Sequence, residues 1–389
     1  MNAAAPDIDD LLPALRTLRR DLHAHPELGF AEHRTAALVA GAMRELGLEV
    51  ATGIGGTGVV ATLRNGGSGR SLGLRADMDA LPIVEASGVP HASVNPGAHH
   101  GCGHDGHTAM LVGAARQLAR TRRFDGTVHF IFQPAEEGQG GADAMIRDGL
   151  FERFPCDAVY ALHNWPGLPL GVAQTRAGPI MAAADRFEIT VRGRGGHAAM
   201  PHTTPDAVLA ASHLVLQLNT IVARDIDPVE SAVLSVTRIE GGHAHNVLPA
   251  EVTVTGTVRS FEPAVQDRIE ARLREVCAGV AASTGTELAI DYLRYYPSTI
   301  NTADEARKAL DAAAAAGLAA VPAPAPAFTS EDFAFMLRAR PGAYLWLGQA
   351  TPGHERPLHH PCYDFNDDAL PLGIGWFVAL VERELAAGA

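Results

Sequence analysis

Between residues 183 and 296 the chain changes its rhythm, and that change constrains the fold more than any other feature. The stretch "DRFEITVRG" alternates like a half-buried strand. The spacing of Val208, Ala211, Val215, Leu218 and Val222 predicts a helix over 205–222 with those residues on one face. Strand patterns follow at 231–242 and 250–261. Val265, Ile269, Leu273, Val276 and Val280 then mark a second amphipathic helix, and "ELAIDYLRYY" (287–296) closes the segment. The order β-α-β-β-α-β is the split βαβ, ferredoxin-like arrangement, which can fold as a satellite inserted into a larger domain.

The flanking sequence has a different grammar. Leu11, Leu12, Leu15, Leu18 and Leu22 recur at helical spacing. Strands are expected at 59–64, 71–77, 126–133 and 157–163, and helices at about 105–120 and in "GGADAMIRDGL". After residue 296 come an Ala-rich helix, a Pro/Ala linker (321–327), the strand "GAYLWLG" and a last helix from "GIGWFVALVEREL". Such alternation indicates an α/β sheet with helices on both faces. A chain of 389 residues also exceeds what one core usually supports. The expected organisation is therefore an α/β domain, 1–182 with 296–389, and an α+β satellite, 183–295.

Bulk properties remove several classes of function. A net charge of −13 without a basic stripe argues against a nucleic-acid partner. The apolar runs are short and interrupted, so no membrane-spanning helix is expected. Acids in "MNAAAPDIDDLLPALRTLRRDL" stand where a signal peptide would be basic, which reads as a mature, cytoplasmic start. Cys102, Cys156, Cys277 and Cys362 show no CxxC spacing and are expected to be reduced thiols.

Chemistry concentrates where the expected strands end. "GCGHDGHTAML" (101–111) crowds Cys102, His104, Asp105 and His107 into a glycine-rich helix entry. Asp77 and Asp79 end the strand 71–77, Glu136 and Glu137 follow the strand 126–133, and His163 ends the strand 157–163. His359 and His360 lie in the loop "PLHHPCYDFND". Ligand sites of open α/β sheets form outside the carboxyl ends of strands. Taken singly, each residue has an ordinary reading: Cys102 as a small buried hydrophobe, His104 as a helix-entry hydrogen bonder, the glutamates as a solvated turn, His163 as a core histidine. Together, imidazole, carboxylate and thiolate suit Zn²⁺, Mn²⁺, Co²⁺ or Ni²⁺ rather than Ca²⁺ or Mg²⁺. A turn can aim both glutamates at one pocket, one to bind metal and one to act as base. His99, His100, Asp105 and His107 read as helix-cap or outer-shell groups. Trp165, Phe333 and Trp346 either line a pocket near these motifs or fill core.

Seven motifs stand in order: "GLRADMDALP", "GCGHDGHTAML", "FQPAEEGQGGADAMI", "GRGGHAAMPH", "NVLPAEV…GTVRSF", "FTSEDFAFM" and "LHHPCYDFND". Through them the chain resembles, over nearly its whole length, the aminoacylase/carboxypeptidase family of metallopeptidases. The match is to the amidohydrolase branch of hippurate hydrolases, N-acyl-amino-acid amidohydrolases and auxin-conjugate hydrolases. The resemblance implies two divalent metal ions held by Cys102, His104, Glu137, His163 and His359, with Glu136 as general base. Arg75 stands where the wider family places a metal-binding histidine, so ligation falls to His104 and Asp77 takes a supporting catalytic role. In the satellite, His197 resembles an oxyanion-stabilising histidine that reaches a neighbouring active site. Asn246 and Arg259 resemble groups that hold the oxyanion or a substrate carboxylate, and His202 competes with His197. The implied reaction is hydrolysis of an N-acyl amino acid by a homodimer formed through the satellite. A di- or aminopeptidase and a non-catalytic ligand-binding relative are the alternatives.

Overall fold

The computed structural model describes residues 8–387; the first seven residues of the cytoplasmic-start reading lie outside the described residues. The chain divides into two compact units, Met1–Ile180 with Ile300–Ala325 and Asp332–Ala389, and Met181–Thr299 with Pro326–Glu331.

The first unit is built on one eight-stranded mixed sheet. Its order is Glu49–Ile54, Gly58–Asn65, Gly126–Gln133, Ser71–Asp77, Ala158–Pro169, Gly342–Ala350, Val172–Thr175, Ala319–Pro322. The four central strands, Gly126–Gln133 through Gly342–Ala350, run parallel. Ser71–Asp77 is buried along its whole length, as expected of a parallel strand covered on both faces. Register sets Asp77 opposite Gln133 and His163 opposite Trp346, so the carboxyl ends of these strands gather on one edge. The helix His104–Thr121 is buried through fourteen residues, from His104 to Leu118. It packs against the helices Leu12–Ala24 and Leu370–Glu384. Leu15, Leu111, Leu118, Phe130, Tyr160, Trp376 and Phe377 belong to this core.

The helix entry depends on Gly103, whose φ of 93° lies in the left-handed region. A Cβ there would stand 2.4 Å from Asn164 Oδ1 and 2.7 Å from the Tyr363 hydroxyl, so both conformation and space demand glycine. The stretch expected to begin a Pro/Ala linker at 321 is partly ordered: Ala319–Pro322 pairs in parallel with Val172–Thr175 as an edge strand. An edge tolerates Pro322 because proline lacks only the donor that would otherwise bond a further strand.

The second unit carries a four-stranded antiparallel sheet in the order Ala232–Glu240, Glu251–Ser260, Ala183–Arg192, Glu287–Tyr296. The helices Ala207–Leu218 and Pro263–Thr284 belong to its core, the latter through Val265, Ile269, Leu273, Val276 and Val280. On the first of these helices the expected face holds at Ala211 and Leu218, which are buried, and departs at Val208. It also holds at Val215 and, in the helix that follows, at Val222, both of which pack against the core. Ala207, Ala210, Ala211, Leu214 and Leu218 are buried, while Val208 is exposed with Leu209 and Leu216. The small alanines admit closer packing, so they, rather than Val208, take the core face. Among the described residues one stretch, Ala207–Asp225, is long and apolar enough to cross a membrane by length and composition. It is two helices, Ala207–Leu218 and Thr220–Asp225, the first seated in this core through its buried face.

Candidate metal centre

The expected donors of the first unit come together at the carboxyl edge of its sheet. Two groups of donor atoms, each with all members within 4.8 Å of one another, share the thiol: Cys102 with His104 and His163, and Cys102 with Glu137 and His359. Cys102 Sγ lies 3.4 Å from His163 Nε2, and His359 Nε2 lies 3.3 Å from Glu137 Oε1. Asp77, His104 and His107 form a further group beside them.

Each histidine of the inner group is oriented by its other nitrogen. His104 Nδ1 donates to the Asp79 carbonyl at 2.9 Å, and His163 Nδ1 donates to the Asn164 carbonyl at 2.7 Å. Both Nε2 atoms are thereby left as ligands, the usual outer-shell arrangement of metal-bound histidines. His104 Nε2 stands 3.7 Å from Asp77 Oδ2 and 3.9 Å from Glu137 Oε1. The outer group is looser. His359 has a left-handed backbone (φ 65°), a side chain 52 % exposed, and a backbone N–H that donates to the Gly101 carbonyl.

The glutamate pair sits in a turn that gives its two members different hydrogen-bond partners but brings both side chains toward the same thiol. Ala135, at φ 53°, makes the bend, and its N–H donates to Glu32 Oε1. Glu137 N–H donates to Asp79 Oδ2 at 2.9 Å, while Glu136 Oε1 accepts from Asp332 N–H at 3.2 Å. Both carboxylates act electrostatically on Cys102.

The electrostatics match a site that takes cations. Burial, with Glu137, Glu136 and Asp77 nearby, pushes the Cys102 thiol well above its ordinary pKa. Burial also holds His163 well below the usual imidazole value and so keeps it neutral, with His107 adding to the effect. Burial pulls His104 down as well, but Asp77 and Asp79 prevail and lift it to about 10. Burial likewise opposes the ionisation of Glu137, yet His359 and His104 hold it below the ordinary value. His104 Nε2, Glu137 Oε1 and Asp79 Oδ1 are buried with no hydrogen-bond partner among the described residues. Leaving a buried polar atom unpaired costs about 1–3 kcal/mol. Two of these, His104 Nε2 and Glu137 Oε1, stand 3.9 Å apart beside a thiol and two further imidazoles, a donor set that fits two divalent cations.

Arg75 explains itself here. It is wholly buried, with Nη1 2.7 Å from Asp77 Oδ2, Nη2 3.1 Å from Asp332 Oδ1 and Nε donating to Gln133 Oε1 at 2.8 Å. Asp77 is kept ionised against burial by Arg75, then by His104 and His107. Its Oδ1 accepts from His107 Nδ1 at 2.6 Å, and His107 Nε2 accepts from Asn164 N–H. Sequence reasoning did not single out Asn164, Gln133 or Asp332. The acid in "FTSEDFAFM" was the one available signal for Asp332. Phe333 is fully buried under Arg75, whereas Trp165 is half-buried and stacks on Trp346 at 4.4 Å. All four cysteines are free.

The remaining candidates belong to the second unit. The strand Gly196–His197 pairs with Val247–Leu248, and the Asn246 carbonyl accepts from Ala198 N–H, so His197 and Asn246 are neighbours. His197 is exposed, its Nδ1 accepting from Ala199 N–H at 3.1 Å, and His202 is exposed in the turn Pro201–Thr203. Arg259 is half-buried and folds back on its own strand, donating to Thr257 Oγ1 and the Val258 carbonyl.

Overlapping donor groups that share the Cys102 thiol, with a further carboxylate beside them, are the equipment of a metal-dependent hydrolase. The family model described as peptidase family M20/M25/M40 matches residues 73–383, and the chain belongs to that family, whose members act on amide bonds. It is 39% identical over 386 residues to a hippurate hydrolase of Campylobacter jejuni, covering 98% of this chain and 99% of that one. It is also 39% identical to an N-acetyl-L-cysteine deacetylase of Bacillus subtilis, over 91% of this chain and 84% of that one. A solved Bacillus subtilis structure described as a dinuclear metal binding peptidase of the family superposes with a TM-score of 0.86 at 34% identity. That superposition covers 97% of this chain and 99% of the other.

Proposed function

We propose that this protein hydrolyses the amide bond of N-acyl amino acids, releasing a carboxylic acid and an amino acid. The observation that carries the reading is the pair of donor groups sharing Cys102, with Glu136 held beside them by Asp332 N–H. Relatives named for hippurate and N-acetylcysteine support the N-acyl substrate class. Cys102, His104 and His163 would hold one divalent ion, and Cys102, Glu137 and His359 the other. Bound there, the ions would supply an acidified water and a polarised acyl carbonyl. Glu136 takes the proton of the attacking water and returns it to the departing amine. Asp332 fixes the orientation of Glu136 and is itself anchored by Arg75, Gln133 and Ala142 N–H. Asp77 supports the centre by holding His107 and Arg75 in place.

In the second unit, Ala199 N–H occupies Nδ1 of His197, which places the proton of the neutral ring on Nε2 as a donor for an oxyanion. Asn246, its neighbour, is assigned to the same oxyanion, and Arg259 to the substrate carboxylate. We read this unit as a ferredoxin-like satellite, 183–295, from its β-α-β-β-α-β order and four-stranded antiparallel sheet. The catalytic part is 1–182 with 296–389. Val208, Leu209 and Leu216, exposed on one helix, support a homodimer formed through the satellite. A cytoplasmic location accords with the four free thiols.

The test is a rate comparison on the zinc-, manganese-, cobalt- and nickel-loaded protein. N-benzoylglycine and N-acetyl amino acids should turn over, and dipeptides with a free amine should be poor substrates. Faster cleavage of the free-amine dipeptides would replace this reading with a peptidase.

A further inference from the structure

The first unit holds a second group of buried imidazoles that the hydrolytic centre does not use. His23 ends the helix Leu12–Ala24, while Glu85 and His99 lie in the irregular segment between the strand Ser71–Asp77 and the helix His104–Thr121. We propose that His23, Glu85 and His99 form a third divalent-cation site, of the zinc type, separate from the two ions held through Cys102.

Geometry carries the assignment. One donor atom from each residue falls within 4.8 Å of the others. His23 Nε2 is 3.3 Å from Glu85 Oε1, and His99 Nδ1 is 3.4 Å from Glu85 Oε2. Nitrogen and oxygen donors at roughly 2.0–2.1 Å from a tetrahedral ion stand about 3.3 Å apart, and each imidazole stands at that separation from one oxygen of the Glu85 carboxylate. The His23 and His99 rings meet edge-on at 80°, with centroids 5.4 Å apart. Both histidines are fully buried; His99 Nδ1 faces only the Glu85 carboxylate, and its Nε2 has no hydrogen-bond partner among the described residues. A buried imidazole with a nitrogen left unpaired is costly unless something binds it.

The surroundings orient the donors. His23 Nδ1 is 2.8 Å from Asp105 Oδ2, a carboxylate–imidazole pair that leaves Nε2 free to ligate, the arrangement found behind metal-bound histidines. Glu85 is fixed by Ser93 N–H at 2.6 Å and by the Ser87 hydroxyl. A competing trio, His23 with His91 and Asp364, fails on the same ground, because the His23 nitrogen nearest Asp364 is the Nδ1 already engaged by Asp105. Two imidazoles and one carboxylate select a transition-series dication over Ca²⁺ or Mg²⁺, water completing the shell. Without an ion, hydrogen bonds to Asp105 and Glu85 overcome the effect of burial and lift His23 to about 9. Binding therefore releases the His23 Nε2 proton to solvent. An ion here ties the N-terminal helix to the segment leading into Cys102, a structural rather than a catalytic task.

The experiment counts ions. Full-length protein stripped of metal and equilibrated with zinc should retain three ions per chain, against two for His99→Gln and for Glu85→Gln. Cys102→Ser should lose the catalytic ions and keep the third. In a cobalt titration of the wild type, one of three equivalents should show ligand-field bands without thiolate charge transfer. That readout stands even if a variant fails to fold. A wild type that saturates at two ions overturns the proposal. A third equivalent that survives both His99→Gln and Glu85→Gln overturns it as well. None of these readouts depends on which amide the protein hydrolyses.

Discussion

The two donor groups that share Cys102 are built to different standards. In the inner group, His104 and His163 are buried and each is locked by a hydrogen bond from Nδ1 to a backbone carbonyl. In the outer group, Glu137 is anchored through its backbone N–H, but His359 sits on a left-handed residue with half its side chain in solvent. The difference teaches that one half of the centre is preorganised by a helix entry and a strand end and the other is assembled from loops. Orientation fixed before binding saves the entropy of ordering the ligand, so the inner group should bind more tightly and exchange more slowly.

The largest effect should leave both groups intact. Glu136→Gln should lower kcat by about 10²–10⁴-fold, the usual worth of a positioned base, while metal content stays at the wild-type level. Near-normal turnover would remove Glu136 from its role. Next, Cys102→Ser strikes the donor common to both groups. Its loss of affinity should exceed the roughly 10–100-fold typical of losing an outer-shell partner, and should affect both ions when measured by competition with a chelator. Weakening of a single ion would show that the thiolate serves one group only.

The comparison itself is tested by His104→Asn against His359→Asn. The first should lower the affinity of the inner ion and slow its rebinding; the second should release the outer ion alone, with the smaller change in melting temperature. Equal effects would erase the distinction. The smallest signal is in pH. Without metal, His104 at about 10 and the raised Cys102 thiol both hold protons that an ion must displace. Inner-ion affinity should therefore fall as pH drops from 9 to 6, by about tenfold per unit for each proton displaced. His104→Asn should remove one proton from that slope.

Much of this was legible in the sequence for a local reason. Strand-end positions follow from periodicity, and residues two apart in a glycine-rich turn, such as Cys102 and His104, cannot be far apart in space. What was not legible depends on distant partners. Arg75 could be seen to be no ligand, but its ion pair with Asp332, 257 residues away, required the folded sheet. His107 read ambiguously because Asp77 and Asn164, which engage its two nitrogens, come from other elements. In the helix Ala207–Leu218 only Val208 was misplaced, because hydrophobicity ranks valine above alanine while close packing gives the core face to Ala207 and Ala210. The strand Ala319–Pro322 hid inside a Pro/Ala run since its pairing, not its composition, makes it a strand.

That short strand has a further consequence. An open sheet border is a template on which another chain can add by backbone pairing, the route by which β proteins polymerise. Here the border beyond Ala319–Pro322 is only four residues long and ends in a residue without an N–H. A ladder begun there would stop almost at once. The protein thus carries a wide, mostly parallel sheet while offering little purchase for runaway fibre growth at that side.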